Sequence, residues 1–148
     1  VSYIENMKIH KTDLYKAELK LLSSAVRELH AALINDAKAD YFKDDPEATV
    51  SPLEMLKIIS DDPHFGWLRS LSYFLIRLDE ARISKEPIES EDVSAFTESL
   101  EKLIGPAPAQ NIDFRQQYID ALHRDPKVAT SHGQVKMALL ALATAQKQ

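Results

Sequence analysis

The sequence predicts an all-α fold, a single domain over residues 1–148 built as a bundle of about five or six helices. Three observations predict it. Apolar residues recur at three- and four-residue steps over long stretches. No useful run alternates apolar and polar residues, as a half-buried strand would. The breakers are also few: three Gly and seven Pro in 148 residues, with the prolines at element boundaries.

The length lets the chain bury roughly two-thirds of its unfolded surface. An apolar share of 45% against 28% charged is a globular balance and argues against disorder. A net charge of −5 removes the simplest electrostatic case for nucleic acid or an anionic membrane surface. Zero Cys excludes disulfides, thiol nucleophiles and Cys-ligated metal sites, and fits a reducing compartment. Val1-Ser2-Tyr3-Ile4-Glu5-Asn6 has no hydrophobic core of the signal-peptide kind. The longest apolar run near the C-terminus, Met137 to Ala145, falls far short of the ~20 residues that span a bilayer. The expectation is a cytoplasmic protein with no membrane partner.

From Thr12 to about Tyr41, Tyr15, Leu19, Leu22, Val26, Leu29 and Leu33 recur at alternating four- and three-residue steps. This seam predicts one long helix of about 45 Å. Asp36 takes the next seam position, where the apolar pattern stops. Leu21, Ala25 and Ala32 widen the stripe and suggest a second contact surface. Lys43-Asp44-Asp45-Pro46-Glu47 reads as an acidic loop. Ser51-Pro52-Leu53-Glu54 then combines a capping box with Pro at the first helical position. The short helix it opens is expected to turn Leu53, Leu56 and Ile59 inward.

Asp62-Pro63 opens the predicted central helix, where a missing N–H costs nothing. At about 100° per residue, Trp67, Leu68, Leu71, Phe74, Leu75, Leu78 and Ala81 share one broad face. Phe65, Ile76 and Ile83 extend that face, and Arg69, Tyr73, Arg77 and Glu80 form the polar strip. An arc this wide needs neighbours on several sides. Ser90, with Glu91 and Asp92 behind it, is the expected cap of the next helix, and Val93, Phe96, Leu100, Leu103 and Ile104 are its inward stripe. Gly105-Pro106 ends it. Asn111 or Asp113 starts another helix bearing Phe114, Tyr118, Ile119 and Leu122. Asp125-Pro126 opens the last, with Val128, Val135, Leu139 and Leu142 inward.

Asp62-Pro63, Phe65, Trp67-Leu68-Arg69, Leu71-Ser72 and Leu78-Asp79-Glu80 resemble a segment shared by a family of small bacterial proteins with no assigned activity. The resemblance extends to Glu86-Pro87 and Arg124-Asp125-Pro126, with Ser70 where the family pattern has Pro. It implies a helical domain and no chemistry.

Asp79 and Arg82 are the candidate polar site. Both project onto the apolar arc three residues apart, close enough to pair, as a structural ion pair or as the lining of a polar pocket. Arg69, Tyr73 and Arg77 are the candidate interface, since Tyr and Arg are enriched where proteins meet. No Glu-x-x-His element supports a di-iron bundle; Asp120-Ala121-Leu122-His123 and His10-Lys11-Thr12-Asp13 are its nearest relatives. His30 and His132 lack the residues that follow a phosphotransfer histidine, and His30 reads as a polar-face residue. No nucleophile elbow or phosphate loop occurs, and the basic residues are too sparse for a nucleic-acid face. The sequence therefore supports no catalytic residue, cofactor or metal. The leading expectation is a non-catalytic interaction protein that binds a protein partner or itself. The alternative is a small-molecule binder or enzyme with a pocket at Asp79 and Arg82.

Overall fold

The computed structural model describes residues 2–148. Seven helices and no strand form among the described residues: α1 (Tyr3–Tyr41), α2 (Pro52–Asp61), α3 (Pro63–Gly66), α4 (Arg69–Ile83), α5 (Ser90–Ile104), α6 (Ile112–Arg124) and α7 (Pro126–Gln146). The all-α bundle is as the periodicity predicts, with one short helix more than expected.

α1 begins nine residues before Thr12, because Ser2 and Glu5 form a reciprocal capping box at 3.1 and 3.2 Å. Its 39 residues span about 58 Å. The seam from Tyr15 to Leu33 is buried throughout. It continues through Asp36, which is buried as well and held by Arg124. α1 packs chiefly on α7 and next on α4, antiparallel to both: Lys11 reaches the end of α7, Lys16 the end of α4, and His30 the start of α4. α5 packs on α4, α6 and α7, and α6 on α7.

The central segment is not one helix. It breaks at Trp67-Leu68, where N–H groups of Leu68 and Leu71 bond three residues back. A continuous helix would set Phe65 about 100° from the stripe of Leu68, Leu71, Leu75 and Leu78. The break lets Phe65 and that stripe be buried together, while Trp67 packs on Phe114 at 5.4 Å. Ile76 and Ile83, expected on the apolar face, are 53% and 70% exposed.

α2 also departs from expectation. Ile59 turns inward as expected, but Leu53 and Leu56 are exposed, and Met55 and Ile58 take their place against the core. The ten-residue helix carries apolar residues on two overlapping stripes, and its packing against α3 decides between them. The α5 cap is Glu89 rather than Ser90, with the Asp92 carboxylate accepting from its N–H at 2.9 Å. α5 stops at Gly105, whose φ of +101° strains any other residue. Arg115 from α6 then closes the corner. Its guanidinium donates to the carbonyls of Leu103, Glu101, Lys102 and Ala107 at 2.8–3.0 Å.

Candidate functional site

Asp79 and Arg82 do pair, Nε to Oδ1 at 2.9 Å. Asp79 accepts more than that. Ser23 Oγ donates to the same oxygen at 2.7 Å, and the Arg27 guanidinium binds the other oxygen from α1. The carboxylate is thus a tie between α1 and α4, with both oxygens bonded by groups of the chain. Neither Asp79 nor Arg82 lines any of the grooves described below.

Arg69, Tyr73 and Arg77 are all exposed on α4. They do not act as one strip. Arg69 donates to the Ser60 carbonyl at 2.8 Å, fastening the end of α2. Tyr73 and Arg77 instead line a groove of about 320 Å³ together with Ser70, Ser99, Lys102, Leu103, Gln110 and Asn111. α4, α5 and the loop leading into α6 build it.

Two histidines sit at helix contacts rather than on free polar faces. His30 Nε2 lies 2.9 Å from Ser72 Oγ between α1 and α4, so it is not the solvated residue expected. Burial, and then the neighbouring Arg27 charge, hold its pKa below the usual value. His132 Nδ1 and the Tyr118 hydroxyl share a hydrogen bond of 2.5 Å between α6 and α7. Burial lowers the pKa of His132, with help from Lys136, and raises that of the Tyr118 phenol. Among the described residues no three His, Asp or Glu side chains are placed to hold a metal.

A small polar hollow of about 120 Å³ lies between the end of α1, α3 and α6. Asp36 anchors it through a two-pronged bond to Arg124, at 2.5 and 3.1 Å, which raises the Arg124 pKa. His64 there donates Nε2–H to the Ala37 carbonyl at 3.0 Å, beside Asp40.

Exposed apolar residues occur on several helices, among them α7 and α1. Met137 and Leu140 on α7 are 73% and 69% exposed, and Leu21 on α1 is 59% exposed. The same side of α7 carries Pro126, Ala129, Thr130 and Gly133, all exposed. A Cβ added at Gly133 would meet nothing within 4 Å. Sequence reading marked Leu21 but not this face of α7. Its signal was the scarcity of charge: only Lys127 and Lys136 are charged in the 21 residues of the helix.

No protein-family model, curated protein or solved structure matches the chain. The site is therefore read from this chain's own residues. No helix of the described residues is long and apolar enough to cross a membrane.

Proposed function

We propose that the protein is a non-catalytic interaction module of the cytoplasm that pairs with a second copy of itself through the outer face of α7. The observation that carries this reading is Gly133. A glycine inside a helix costs about 1 kcal/mol relative to alanine, and nothing in the chain crowds this one. The cost is offset when another backbone approaches closely.

The residues around Gly133 are complementary to themselves. In an antiparallel pair with a two-fold axis at Gly133, each residue faces the one equally far on the other side. Met137 then faces Ala129, Leu140 faces Pro126, and Lys136 faces Thr130. Large meets small, apolar meets apolar, and no lysine meets a lysine, as an isologous contact requires. Zero Cys fits a reducing cytoplasm, and the net charge of −5 fits a protein partner better than nucleic acid.

Met137→Glu together with Leu140→Glu tests the reading. Both side chains are exposed, so the fold tolerates the change and the helical circular dichroism stays as it is. The doubly substituted chain is expected to sediment as a monomer at concentrations where the unaltered chain is a dimer. Equal sedimentation of the two would exclude this face.

A further inference from the structure

The groove beside Tyr73 and Arg77 differs in charge from the rest of the molecule. The chain has a net charge of −5, yet no carboxylate lines this groove; its charged groups are Arg77 and Lys102. Arg77 has no ion pair among the described residues. Lys102 is steadied by Glu98 one turn earlier on α5, at 3.2 Å. The guanidinium of Arg115, bound to the Glu101, Lys102 and Leu103 carbonyls, adds a third positive charge behind the α5 rim.

Neutral donors complete the lining. Ser70, Ser99 and Tyr73 bring hydroxyls, and Gln110 and Asn111 bring carboxamides. The Asn111 side-chain oxygen is committed to capping α6, accepting from Phe114 N–H at 3.0 Å, which turns its NH₂ toward Ser70 Oγ, 3.5 Å away. Leu103 and the Tyr73 ring supply the apolar surface. At about 320 Å³ the groove lies at the small end of the ~300–1,000 Å³ typical of ligand sites.

We infer that this groove binds a small phosphate monoester. Arg77 and Lys102 take the charge, Arg as a two-pronged donor. Several hydroxyl and amide donors suit a tetrahedral group with three terminal oxygens better than a planar carboxylate. The esterified portion, apolar or aromatic, lies against Tyr73 and Leu103. This site is on α4 and α5, away from the α7 face, so its test stands or falls separately from self-association.

The experiment is an amide-resolved NMR titration of the whole chain with phenyl phosphate, beside inorganic phosphate and benzoate. Saturable shifts are expected at residues 70–77, 99–103 and 110–113, with both other probes weaker. Arg77→Gln should weaken phenyl phosphate roughly 10- to 100-fold, the loss of one charge-assisted contact. Lys127→Gln, a remote cation, should leave it unchanged. Shifts scattered over surface lysines, an unchanged affinity in Arg77→Gln, or equal binding of inorganic phosphate would each overturn the inference.

Discussion

The guanidinium of Arg115 donates to four carbonyls, three of them in the last turn of α5. The Glu101 carbonyl also accepts from the Gly105 N–H, whereas those of Lys102 and Leu103 lie past the last helical bond, and a cation there suits the helix dipole. Arg115→Met keeps much of the stem but orphans the Lys102 and Leu103 carbonyls, so the urea unfolding midpoint should correspond to a loss of about 2–3 kcal/mol. His30 and His132 give the pH dependence its sign. Both have folded pKa values below the ordinary 6.5, so the unfolded chain binds protons more readily than the native one. Their contribution is fully present above pH 6.5 and is lost as pH falls through the folded pKa. Urea midpoints at pH 7.5 and 5.5 should therefore differ less in His132→Gln, whose carboxamide can hydrogen-bond the Tyr118 hydroxyl in either direction, than in the unaltered chain.

Helices differ in how firmly they are held. α2 has no buried residue, and the first two turns of α1 are exposed. Both should exchange amide hydrogens well before the α1 seam and α4, which lie in the core. Leu53→Ser should change stability by less than about 0.5 kcal/mol, measured by thermal unfolding, because Leu53 is already 77% exposed. The same residues show what the sequence could reveal. Long helices were legible because a seam such as Tyr15 to Leu33 repeats often enough to define one face. The start of α2 was legible in its Ser51-Pro52 cap, but its inward face was not, since ten residues with five apolar ones allow two stripes, and only the neighbour chooses. The break at Trp67-Leu68 was hidden for a similar reason: a helical projection assumes continuity, and burying Phe65 overrides it. Of the candidate sites, the Asp79–Arg82 pair was legible from its three-residue spacing. Its partners Ser23 and Arg27 lie more than fifty residues away, and the groove at Tyr73 depends on Lys102 and Asn111, which no local pattern joins to α4.

At the scale of the molecule, the outer face of α7 leaves Met137 and Leu140 to solvent on the same side as an unobstructed glycine. Gly133→Leu separates cost from use. Compared at a dilution where both chains are monomers, the leucine variant should be more stable by about 0.8 kcal/mol, since the helix gains and nothing clashes. The same change should block a close helix pair. Sedimentation equilibrium of the unaltered chain and of Gly133→Leu over a wide concentration range is the most direct measurement. A concentration-dependent dimer in the first, and a monomer in the second that also melts higher, are the expected results. An unaltered chain that stays monomeric throughout, or a Gly133→Leu chain that dimerises as well, would contradict the proposed pairing.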